Sequence, residues 1–75
     1  MSDKLPAVRA KKLIRVLHQV GFEIDHQTGS HVTLFRESDH RRVVVPMHNR
    51  DLGIGLLARI LADAGLTKDE FRKLL

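Results

Sequence analysis

Five histidines in a chain of 75 residues that has no cysteine hold most of its capacity for proton chemistry. Imidazole is the side chain whose unperturbed pKa, about 6.5, lets it give and take protons near neutrality. Two of the five stand at the ends of apolar runs. His31 follows Gly29 and Ser30 in "GSHVTLF", and His48 follows Pro46 in "VVVPMH". Gly29 can adopt positive φ or leave room for a large ligand, and the Ser30 hydroxyl can bond a neighbouring backbone group or a phosphate oxygen. Beside an RNA phosphate, an imidazole at position 31 would take the 2′-hydroxyl proton or protonate the leaving oxygen. Help of that kind contributes about 10²–10⁴-fold. Taken alone, His31 is more often a solvated strand-end histidine, and His48 an ordinary loop residue.

Other chemistry is less well supported. His18, His26, His31, His40 and His48 are scattered, with no HExxH spacing, so no metal centre is expected. "LGIGLL" has too few glycines and no lysine for a phosphate-cradling loop, and no small-molecule cofactor is expected. Glu23 and Asp25 fall on the expected wet side with no partner in view, which does not suggest a catalytic carboxylate pair.

The charge balance points toward polyanions. Formal net charge is +4 and the pI is about 10.1, a positive field suited to nucleic acid or an acidic protein, although +4 is ordinary for a small domain. Lys11 and Arg15 are i, i+4 neighbours with Lys12 beside them. Arg41 and Arg42 precede a β-branched run, and Arg50 stands two residues after His48. These six are candidate phosphate contacts for backbone-directed binding of RNA, although each by itself also fits a solvated face. There is no Trp or Tyr, and Phe22 and Phe71 read as core. Only Phe35 is expected to face outward, which disfavours base stacking and suits a protein partner.

The elements that must position these residues follow from periodicity. After a loosely held arm over residues 1–8, with Pro6 near its end, a helix begins at about Arg9, with Leu13, Val16, Leu17 and Val20 inward and Gly21 ending it. "FEIDHQT" alternates Phe22 and Ile24 against Glu23 and Asp25, as a half-buried strand does. "HVTLFRE" puts Val32 and Leu34 on one face and His31, Thr33 and Phe35 on the other. "RVVVP" is a third strand, and the short links imply an antiparallel meander. The start of the second strand and the end of the third then lie at one end of the sheet, where His31 and His48 could converge. "MHNRDLGIG" reads as a loop, and "LLARILADAG" as a helix with Leu56, Leu57, Ile60 and Leu61 inward and Gly65 as its stop. "TKDE" is a capping box that opens a short last helix with Phe71, Leu74 and Leu75 apolar. The result is an α+β fold in the order α-β-β-β-α, with a three-stranded antiparallel sheet, helices on one face and a short C-terminal helix.

Length bounds the rest. Residues 1–75 make one small domain, whose burial yields about 3–5 kcal/mol of net stability without staples, so a protein partner is an attractive supplement. The lack of cysteine suggests a reducing compartment. No run approaches a membrane span, and "MSDKLPAVRA" lacks the apolar core of a signal peptide. A cytoplasmic location is the expectation.

"LP" before a helix ending in "GF", then "GSH", "VVVPMH" and "LLARILADAGLTKDEF" together resemble the HicA toxin family over about Leu5 to Phe71. The resemblance implies a double-stranded-RNA-binding-domain-like fold. It also implies a metal-independent endoribonuclease that cleaves mRNA and is neutralised by a HicB-type antitoxin. The single essential catalytic residue would be the histidine of "GSH", here His31, with Gly29 and Ser30 shaping its turn. His48 matches a recurring histidine with no established role. One departure is the position before the first helix, where relatives often carry Ser or Thr and this chain has Val8 and Arg9. The lost cap is worth about 1 kcal/mol. The alternative is a non-catalytic RNA-binding or protein-interaction module on the same fold.

Overall fold

A computed structural model describes residues 4–75. The elements run α1 (Ala10–Gln19), β1 (Glu23–Thr28), β2 (His31–Arg36), β3 (Arg41–Pro46), α2 (Ile54–Ala64) and α3 (Lys68–Leu74). The strands form one antiparallel sheet in the order β1-β2-β3, which makes β2 central. The architecture is α+β, in the α-β-β-β-α layout of a double-stranded-RNA-binding-domain-like fold.

Helix α1 buries Ala10, Leu13, Val16 and Leu17, the stripe its periodicity requires, and no side chain caps its start at Arg9. It ends as anticipated at Gly21, at φ 99°. There the Gly21 N–H donates to the His18 carbonyl and the Phe22 N–H to that of Leu17, the bond pair of a Schellman motif. That turn drops Phe22 fully into the core. The expected inward face of β1 is therefore corrected. Phe22 precedes the strand, all six strand residues are exposed, and Ile24 is 59% exposed. As an edge strand, β1 lies beyond the layer in which α2 and α1 pack, since both helices meet β3.

Val32 and Leu34 of β2 and Val43 and Val45 of β3 point into one cluster with Leu57, Ile60, Leu61, Ala64 and Phe71. Two expectations about α2 change. The helix starts at Ile54, two residues early, and Leu56 is 41% exposed. Leu57, Ile60, Leu61 and Ala64 define the buried stripe, and Leu56 falls on its flank. The capping box of α3 is present: the Glu70 N–H donates to Thr67 Oγ1 at 3.1 Å, and the Thr67 N–H to Glu70 Oε1 at 2.9 Å.

The arm over residues 1–8 lies partly outside the described residues, and the part within them is no loose arm. Leu5 and Val8 are buried core residues, the Leu52 N–H donates to the Val8 carbonyl, and Arg9 bridges to Asp51. Leu52, expected in a loop, is buried with them.

Candidate functional site

Gly29 and Ser30 are the two residues between Thr28 and His31, which pair directly across β1 and β2. Gly29 takes φ 59° while Ser30 does not enter the positive region. A two-residue hairpin with glycine first is the II′ type, whose twist suits flanking strands. Nothing lies within 4 Å of a Cβ built on Gly29, so this corner is open. The chain thus leaves the turn with His31 exposed at the first position of the central strand, and Val32 behind it in the core.

The same turn holds the second motif. Pro46 is the β3 partner of His31, at an edge-strand end where its missing N–H costs nothing. One residue on, the Met47 N–H donates to the Ser30 carbonyl. "GSH" and "PMH" are therefore joined at one end of the sheet, and His48 lies two residues beyond the partner of His31. From there the loop crosses to the start of α1. His48 lines a depression of about 260 Å³ with Arg9, Ala10, Lys11, Met47 and Asn49. Lys11 also borders a second depression with Lys12 and Arg15. Lys11, Lys12, Arg15, His48 and Arg50 are all exposed.

Arg41 and Arg42 are not part of this group. Arg41 pairs with Arg36 at the opposite end of the β2–β3 ladder from His31, five residues or about 17 Å away. Both are already engaged. Arg42 lies 3.4 Å from Asp25 Oδ2 and 5.0 Å over the Phe35 ring. Arg41 donates to Asp39 and to the Asp63 carbonyl.

Sequence reasoning missed what Arg41 does there. Arg36 donates to the Val20 and Ala64 carbonyls and doubly to Asp39, and stacks 4.5 Å over Phe22. One aspartate thus holds two guanidiniums against the C-terminal carbonyls of α1 and α2, where positive charge is favoured. The two arginines also cover Gly21 and Gly65, each 3.1 Å from where a Cβ would stand. Hydrogen bonding to Arg36, then to Arg41, holds the Asp39 carboxyl down at about 2.

A second missed group is on β1. Ile24 pairs with Leu34 and His26 with Thr33, so Asp25 is the extra residue of a bulge. His26 Nδ1 lies 2.8 Å from Asp25 Oδ2. An ionised carboxylate can only accept, so Nδ1 carries the proton and donates. This bond, ahead of the charges of His26 and Arg42, lowers the Asp25 carboxyl below its usual range. The adjacent Asp and His in "EIDHQT" were the available signal, but nothing in the sequence marks the bulge that turns both to one face.

Among the described residues no three His, Asp or Glu side chains gather as a metal-binding group, and no helix is long and apolar enough to cross a membrane. Comparison with protein families matches residues 10–66 to the family described as HicA toxin of bacterial toxin–antitoxin. The matched stretch holds both joined motifs and the basic face of α1. No curated protein matches the chain.

Proposed function

The chain belongs to the HicA toxin family of bacterial toxin–antitoxin systems, and from that premise we propose that it is an endoribonuclease that cleaves mRNA, with His31 moving the proton. The observation that supports this best is the join between "GSH" and "PMH". An exposed imidazole stands at the start of a strand whose next residue is core, and His48 is tied to the same sheet end by the Met47–Ser30 bond.

The chemistry asks for little else. In-line attack by a ribose 2′-oxygen on the adjacent phosphorus forms one P–O bond as the bond to the 5′-oxygen breaks. The reaction needs a group to accept the 2′-hydroxyl proton and a group to protonate the departing 5′-oxygen. Neither step calls for a metal. Gly29 leaves the turn open to a phosphate, and Lys11, Lys12, Arg15 and Arg50 would hold the flanking backbone. Arg41, at the far end and held by Asp39, and Arg42, paired with Asp25, are left out of that role. The toxin's partner is an antitoxin, which we take to be of the HicB type. Its binding would also supplement the limited core of so short a chain.

Expression in bacteria with and without the antitoxin tests the reading. Wild-type protein alone should arrest growth and deplete full-length mRNA, while His31→Ala at equal abundance does neither. Equal arrest by both, or by neither, overturns it in favour of a non-catalytic RNA-binding or interaction module.

A further inference from the structure

The sheet has two unlike faces. One is packed by helices through Val32, Leu34, Val43 and Val45. The other faces away from them and by strand alternation carries His31, Thr33 and Phe35; Val44 is 46% exposed on it, while Thr33 at its centre is 8% exposed beneath its neighbours and Phe35 is half-buried. Register adds β1 to this face: Thr28 is opposite His31, and His26 opposite Thr33. His26 is thus the diagonal neighbour of His31 across the β1–β2 ladder, at a Cα separation of about 7–8 Å.

Only His26 of these two is held by a carboxylate. The bulge at Asp25 lets adjacent residues project together, and bulges re-aim side chains in this way next to active sites. With Nδ1–H donated to Asp25, the other ring nitrogen of His26 is Nε2, and the bond favours one orientation of a ring that is 55% exposed. Arg42, reaching across from β3, lies 3.4 Å from the same Asp25 Oδ2. Thr33, Val44 and Thr28 surround the pair without adding charge, and His40 lies against Phe35 at the far end.

We propose that His26, oriented by Asp25, is the second proton-transfer residue of the RNA-cleaving site, paired with His31 across the sheet face turned away from the helices. This rests on the function proposed above and adds to it a catalytic residue and a positioning residue. A phosphodiester on that face has an imidazole on each flank. One takes the proton from the 2′-oxygen as it bonds to phosphorus, and the other gives a proton to the 5′-oxygen as that bond breaks. Charge is conserved, and the products are a 2′,3′-cyclic phosphate and a free 5′-hydroxyl. The phosphate then lies over the sheet, with the basic face of α1 taking more distant parts of the strand.

The test is steady-state cleavage of a short RNA from about pH 5 to 9 by wild type, His26→Ala, Asp25→Asn and His31→Ala, with thermal melts confirming that all fold. The expected wild-type profile falls on both sides. His26→Ala should lose about 10²-fold or more in kcat with KM little changed, and lose one limb of the profile. Asp25→Asn should lose less and distort the same limb. His26→Ala within tenfold of wild-type kcat with both limbs intact, or a loss confined to KM, overturns the pairing while leaving His31 and the proposed function in place. Absence of cleavage by wild type overturns the proposed function, and the pairing with it.

Discussion

His31 is an exposed side chain on a buried strand, and that contrast separates what a substitution does to activity from what it does to stability. Removing the exposed imidazole takes nothing from the core, so His31→Ala should change unfolding free energy by no more than about 0.5 kcal/mol while abolishing cleavage. Leu34→Ala, three positions on and fully buried, should cost about 2–5 kcal/mol. Urea titrations of both variants check this directly. The period-2 alternation of "HVTLF" was enough to place His31, Val32, Leu34 and Phe35, because facing in a strand depends only on parity. Parity failed one strand earlier. The bulge at Asp25 shifts it by one from His26 onward, whereas Ile24, paired with Leu34, keeps its expected side and is exposed because β1 is the edge strand.

At the scale of elements, the turn between β2 and β3 fastens the sheet to both helix ends through Arg36, Arg41 and Asp39. The folded Asp39 carboxyl titrates at about 2, below its ordinary 3.8. Its contribution is therefore fully present above about pH 4 and is lost as pH falls toward 2. An acid titration of wild type and Asp39→Asn should show the variant less stable at neutral pH, the difference shrinking across that window. A constant difference down to pH 2 would contradict the assignment. Gly65→Ala should cost about 1–2 kcal/mol, because the residue sits at φ 74° where L side chains are strained, and because the new methyl would push against the Arg41 guanidinium. The helix stops at Gly21 and Gly65 and the Thr67 capping box were legible, since each is a local signal. The aspartate-centred fastening was not, because it joins residues 16 to 28 positions apart that look like ordinary loop charges in "RESDHRR". Leu5, Val8 and Leu52 escaped for the same reason: their burial depends on a long-range docking of the N-terminal segment against residues 51–52.

At the scale of the whole molecule, the six candidate phosphate contacts divide into two populations. Lys11, Lys12, Arg15 and Arg50 are exposed, with Lys11 bordering the depression that His48 lines, whereas Arg41 and Arg42 serve intramolecular pairs, as Arg36 does. RNA binding should accordingly weaken with salt. Lys12→Ala and Arg15→Ala should each reduce the slope of log K against log salt by about 0.7, the single-strand value per phosphate contact. Arg41→Ala should leave that slope unchanged and instead lower thermal stability, by about 1 kcal/mol for a half-exposed charged hydrogen-bond network. Fluorescence anisotropy at several salt concentrations, paired with melts, distinguishes the two populations. Composition showed only that the chain is basic; which charges are free required the fold.

The central claim is that His31 drives metal-free transfer of the RNA phosphodiester to its own 2′-oxygen. The most direct measurement is the chemistry of the ends left on a purified RNA treated with wild type and His31→Ala in the presence of EDTA. A 2′,3′-cyclic phosphate and a 5′-hydroxyl from wild type, with intact RNA from His31→Ala, is the predicted result. Equal cutting by the variant, or products with a 5′-phosphate and a free 3′-hydroxyl, would contradict it.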